Sequence, residues 1–154
     1  EYQLVDERIV GHKPHSLSDA EAAALPLTAI TAWEMLFDRL QVPKVAAENT
    51  TILVIGGAGG VGSITIQLLK QLTNLTIIST ASRSETKTWV EQLGADYVLD
   101  HRQPLAKQIK QLNVFCEILF GIDPNQINIL HTTVGGVRKS YELTTPKNST
   151  QFNF

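Results

Sequence analysis

The apolar run Thr51-Ile52-Leu53-Val54-Ile55 leads into Gly57-Ala58-Gly59-Gly60-Val61-Gly62, and Ser63-Ile64-Thr65-Ile66-Gln67-Leu68-Leu69-Lys70 follows. This order predicts strand, glycine turn, helix. The spacing fits a turn that approaches a pyrophosphate. Gly57 is expected to let the chain turn tightly, Gly59 to let backbone N–H groups near the anion, and Gly62 to let the helix pack closely on the strand. Ala58, Gly60 and Val61 complete the loop. The anion would sit at a helix N-terminus, where unpaired N–H groups and the positive end of the helix dipole favour negative charge.

A dinucleotide site places its ribose-reading residue about 20 positions further on, at the end of the second strand. Thr80-Ala81-Ser82-Arg83 occupies that place, after the predicted strand Leu75-Thr76-Ile77-Ile78-Ser79. No Asp or Glu stands at the strand tip, so the usual acceptor for a free 2′-hydroxyl is missing. A serine hydroxyl and a guanidinium suit a 2′-phosphate instead, because Arg offers a planar fork of donors and stays charged. NADP(H) is therefore the expected cofactor. The bland reading makes Arg83 a solvated residue and Ser82 the N-cap of a helix starting near Ser84. Lys87 either adds charge to the same pocket or points into water, and the residues leave both open.

The chain has 154 residues, 43% hydrophobic and 18% charged, enough apolar material for one sizeable core. A net charge of −2 without a basic run argues against a nucleic-acid surface. No apolar stretch reaches the roughly 18 residues of a membrane span, and the first residues lack a signal-peptide pattern. The single cysteine, Cys116, lies in the apolar run Val114-Phe115-Cys116-Glu117-Ile118-Leu119-Phe120. It reads as a packing residue, with a reducing cytoplasm as the natural compartment.

Strand and helix signals alternate, which predicts a doubly wound parallel sheet of the α/β class, helices on both faces in three layers. Ser18-Asp19-Ala20-Glu21 opens a helix with a capping box, and a second helix is expected over 28–40 with Pro26 separating the two. After the first two strands come a helix over 84–93 closed by Gly94, a strand at Tyr97-Val98-Leu99, a helix over 104–112 and a fourth strand over 114–120. A helix is expected from Asp123-Pro124-Asn125 to about residue 133, ended by Gly135-Gly136, then a fifth strand over 137–143 and a sixth at Thr150-Gln151-Phe152-Asn153-Phe154.

Leu25-Pro26-Leu27-Thr28-Ala29-Ile30-Thr31-Ala32-Trp33-Glu34, the glycine loop, Thr80-Ala81-Ser82-Arg83 and Leu93-Gly94-Ala95-Asp96, in this order, resemble the medium-chain dehydrogenase/reductase superfamily. Within it the chain is most similar to the quinone-oxidoreductase-like branch, also labelled zinc-type alcohol dehydrogenase-like. The resemblance is specific from residue 1 to about residue 101, and beyond residue 112 the sequence departs from the family pattern. It implies a Rossmann domain over 18–154, with residues 1–17 as a linker and strand leaving a catalytic barrel outside this chain. It further implies an NADPH-dependent reductase of quinones, enones or related carbonyl compounds, inactive as this domain alone. In such reductases the threonine matching Thr31 lies by the nicotinamide carboxamide, and an aromatic residue matching His101 lies near the adenine. On chemistry alone Thr31 equally caps a helix carbonyl and His101 is equally a solvated loop residue. Relatives also pair their sixth strand with its copy, which implies a homodimer through residues 150–154.

Other chemistries lack their residues. A zinc site needs three or four Cys or His ligands, whereas His12 and His15 flank Pro14 in a loop and His101 and His131 stand apart. No GxSxG elbow, GK[ST] phosphate loop or Tyr/Lys pair of a short-chain dehydrogenase is present. A non-catalytic dinucleotide-sensing or dimerisation module with the same fold is the alternative to an enzyme.

Overall fold

The computed structural model describes residues 2–46 and 50–114, together with the backbone of the strands over 116–120, 129–134 and 137–142. Four strands form a parallel sheet: β1 (Thr51–Val54), β2 (Thr76–Thr80), β3 (Tyr97–Leu99) and β4 (Cys116–Phe120), in the order β3-β2-β1-β4. Every residue of β1 is buried, as the unbroken apolar run requires of a central parallel strand. Ile52, Val54 and Ile77 pack on one face with Ile66, Leu69, Val90 and Leu36, while Leu53, Ile78 and Leu99 pack on the other with Leu105. The two clusters bring α2 (Gly60–Leu72) and α3 (Ser84–Gln92) to one face and α4 (Leu105–Leu112) to the other. This is the expected α/β doubly wound arrangement. The strand order reverses between β1 and β4, and that switch point opens a crevice at the strands' carboxyl ends.

Two local signals act as expected. Ser18 caps α1 (Asp19–Trp33) in a reciprocal capping box with Glu21. Gly94 closes α3 at φ +111, and its neighbour Asp96 accepts the Ile77 N–H at 2.8 Å while pairing with Lys70 at 2.9 Å.

Two expectations are corrected. Pro26 does not separate two helices: α1 runs through it to Trp33 and continues as wider π turns over Glu34–Arg39. The proline removes one N–H. The turns on either side hold, with the Thr28 hydroxyl donating to the Leu25 carbonyl and the capping box fixing the first turn. Within the segment expected as linker and strand over 1–17, the described residues hold a 3-10 turn, Glu7–Ile9, capped by Asp6. The helix expected from Asp123 to about residue 133 is contradicted over its described part, where β5 (Ile129–Val134) pairs antiparallel with β6 (Val137–Glu142) in a separate two-stranded sheet. The β-branched residues of Ile129-Leu130-His131-Thr132-Thr133-Val134 favour a strand, and two such runs joined by Gly135-Gly136 are a hairpin signal that outweighs the preceding Pro. The strand expected at 150–154 lies outside the described residues.

Candidate dinucleotide site

The strand ends of β1 and β2 border a cleft of about 400 Å³ that includes Ala58, Gly59, Ser82, Arg83, Thr86 and His101. It lies at the carboxyl ends of the strands, on the β2 side of β1. The reversal out of β1 occurs at Gly56, φ +71, whose N–H donates to the Thr80 hydroxyl at 2.9 Å. The tight turn expected of Gly57 therefore belongs to its neighbour. Gly57 is glycine for want of space, because a Cβ there would lie 1.9 Å from Ser79 Oγ and 2.9 Å from Ile66 Cδ1. A Cβ on Gly62 would lie 2.3 Å from the Gly56 carbonyl oxygen, the close helix packing that the motif predicts. Gly59 differs. It has ordinary backbone angles (φ −75, ψ 168), and a Cβ there would meet only the Gly56 carbonyl oxygen, at 3.3 Å. The fold makes little demand for glycine at 59, whereas an anion approaching the backbone does.

Gly59 is the N-cap of α2 and offers no side-chain cap, so the first-turn N–H groups of Gly60, Val61 and Gly62 keep their capacity for an acceptor. Ala58 and Val61 pack toward the core and contribute backbone to the loop. Thr28 of α1 supports it from outside, 3.1 Å from where a Gly60 Cβ would be. Ser63 ties the loop to its neighbours, donating to the Gly57 carbonyl at 3.2 Å and accepting from Trp89 Nε1 of α3 at 2.9 Å.

At the end of β2, Arg83 is the N-cap of α3, so the capping role considered for Ser82 falls one residue later. The cap is made by Thr86, whose hydroxyl accepts from the Arg83 N–H at 3.2 Å and donates to the Arg83 carbonyl at 2.9 Å. The exposed Arg83 guanidinium has no ion-pair or hydrogen-bond partner among the described residues. Lys87 is half-buried, with Nζ 3.9 Å from Asp100 Oδ2, and is not among the cleft's lining. Asp100, after β3, accepts from Arg102 Nη2 at 2.7 Å and Nε at 3.0 Å. These bonds, then one from the Arg102 backbone, hold its carboxyl well below the usual carboxylate range. The described lining contains no carboxylate.

Thr31 sits apart from this lining, half-buried on α1, and its hydroxyl donates to the Leu27 carbonyl at 2.7 Å. The oxygen can still accept. His12 and His15 are exposed, and no three His, Cys, Asp or Glu side chains come together among the described residues. No helix among those residues is long and apolar enough to cross a membrane. Sequence reasoning passed over Gly56, Thr86 and Arg102, and took Thr80 only as part of the run after the second strand. Gly56 abuts the fingerprint and Thr80 ends the strand before Ser82, which was the available signal; Arg102 gave none, since its partners come from two different turns.

No family model matches the chain. Over 121 residues it is 49% identical to a zinc-type alcohol dehydrogenase-like protein of Staphylococcus aureus, a match covering 75% of this chain and 36% of the relative. A crystal structure of a putative zinc-dependent alcohol dehydrogenase from Rhizobium etli is 52% identical with a TM-score of 0.67, over 77% of this chain and 35% of that one. The quinone oxidoreductase of Thermus thermophilus, solved alone and with NADPH, is 25% identical with a TM-score of 0.58, over 71% and 35%. The chain thus spans about a third of the length of the relatives it matches.

Proposed function

The chain belongs to the medium-chain dehydrogenase/reductase superfamily, and we propose that it is the cofactor-binding domain of an NADPH-dependent oxidoreductase acting on a quinone, enone or related carbonyl compound. One observation carries the choice of cofactor. The cleft wall after β2 offers the Ser82 hydroxyl and an Arg83 guanidinium that has no partner among the described residues, and among the described lining residues no carboxylate. A 2′-phosphate would be attracted there; a free ribose diol would find no strong acceptor.

In this reading the loop from Gly57 through Ala58, Gly59, Gly60 and Val61 to Gly62 holds the pyrophosphate on backbone N–H groups. Ser82 and Arg83 hold the 2′-phosphate, His101 lies by the adenine, and Thr31 by the nicotinamide carboxamide. Lys87 adds positive charge behind Arg83, reduced by its neighbour Asp100. When bound, the dinucleotide supplies the hydride, and the residues of this chain bind and orient it. Residues 1–17 link to a catalytic domain that walls the acceptor, residues 18–154 form the cofactor domain, and this domain by itself does not turn over. Pairing of the segment 150–154 with its copy would give a homodimer, and the protein would work in the cytoplasm. The quinone reading is supported by the Thermus thermophilus neighbour.

The test follows NADPH consumption by the full-length protein against a panel of quinones and enones. NADPH oxidation is expected with at least one acceptor, and Arg83→Ala should raise KM for NADPH about tenfold while leaving that for NADH within about twofold. Absence of dinucleotide binding, or equal effects on the two cofactors, would contradict the reading.

A further inference from the structure

The turn after β2 and the turn after β3 face the same cleft, and a side-chain relay joins them. Gln108 on α4 grips the Asp100 backbone from both sides, accepting its N–H and donating to its carbonyl, each at 2.9 Å. Asp100 in turn fixes Arg102: Oδ1 accepts from the Arg102 N–H at 2.9 Å and Nε at 3.0 Å, and Oδ2 from Nη2 at 2.7 Å. The same Nη2 reaches across and donates to the Ser82 carbonyl at 2.8 Å. A fork held on two carboxylate oxygens loses little freedom when it makes this further bond. Ser82 and Arg83 otherwise sit on a short connection between β2 and α3, and the Arg102 contact clamps that connection from the side.

We infer that Arg102 is a positioning residue for cofactor discrimination: its bond to the Ser82 carbonyl holds the Ser82-Arg83 turn in the geometry that reads a 2′-phosphate, and Asp100 holds Arg102 in place. The inference rests on the NADPH reading above. It separates from a plain charge effect by sign. If Arg102 and Asp100 acted only through their fields, removing the Asp100 anion would strengthen binding of a phosphate nearby, and Lys at 102 would serve as well as Arg. A positioning role predicts the reverse on both counts, since Lys has no fork and Arg102 without Asp100 is loose.

The experiment measures NADPH and NADH dissociation constants for the full-length protein and for Arg102→Ala, Arg102→Lys and Asp100→Ala, with thermal melts to confirm folding. Arg102 is exposed enough, at 62% of its side chain, for replacement to leave the core intact. The NADPH preference should fall roughly three- to tenfold in all three variants, with NADH affinity changed less than about twofold. An unchanged or raised preference in Asp100→Ala, or a full preference in Arg102→Lys, overturns the inference while leaving the NADPH reading standing. An unmodified protein that binds both cofactors equally overturns the reading and the inference with it.

Discussion

Gly59 and Gly57 look alike in the sequence and are glycine for different reasons. At Gly59 the backbone angles are open to any residue, and a Cβ would meet only the Gly56 carbonyl oxygen, in a tight contact at 3.3 Å. Gly59→Val should therefore fold with native circular dichroism yet lose dinucleotide binding in calorimetry, because the branched side chain fills the space left for the pyrophosphate. Retained binding in a folded variant would mean that the phosphates lie elsewhere. Gly57 is the opposite case, with Ser79 Oγ where its Cβ would be. Gly57→Ala should destabilise the fold by about 1–3 kcal/mol in urea titrations, from overpacking. Ser79 Oγ is buried and has no hydrogen-bond partner among the described residues, so Ser79→Ala, which removes an orphaned hydroxyl, should leave stability equal or raise it by up to about 1 kcal/mol.

Elements with a strong local signal were legible in the sequence: the buried run of β1, the capping box of α1, the Gly94 stop of α3 and the first four strands, which form the parallel sheet. What escaped depends on competition between signals. Pro26 reads as a break, yet the capping box before it and the packing of α1 on α2 carry the helix through. Pro26→Ala should raise unfolding stability by about 1–2 kcal/mol, part of the roughly 3 kcal/mol that an interior proline forgoes, since proline also restricts the unfolded chain. Asp123-Pro124 reads as a helix start, but the β-branched run ahead of Gly135-Gly136 made a strand. At the site, the glycine spacing and the missing acidic residue were local patterns. The clamp of Asp100 and Arg102 on Ser82 was not, because it exists only once two turns meet. That clamp also has a pH signature. Hydrogen bonds from Arg102 keep the Asp100 carboxyl below its unfolded value, so the stabilisation is complete above about pH 4 and is lost as the pH falls below it. The stability difference between the unmodified chain and Asp100→Asn should narrow as urea titrations move from pH 7 to pH 3; a constant difference would place the stabilisation elsewhere.

At the scale of the molecule, the order β3-β2-β1-β4 sets the crevice, the loop after β1 supplies backbone donors, and the two turns after β2 and β3 supply the cations and the ring at its rim. The part of the chain that matches its relatives covers about a third of their length. The contribution proposed for this domain is the selection of the cofactor, and a binding titration tests that most directly. NADPH and NADH titrated into the same preparation should differ by about 1–3 kcal/mol in favour of NADPH, the worth of one or two charge-assisted hydrogen bonds, and Arg83→Ala should remove most of the difference. Equal affinities for the two dinucleotides in the unmodified protein would contradict the account.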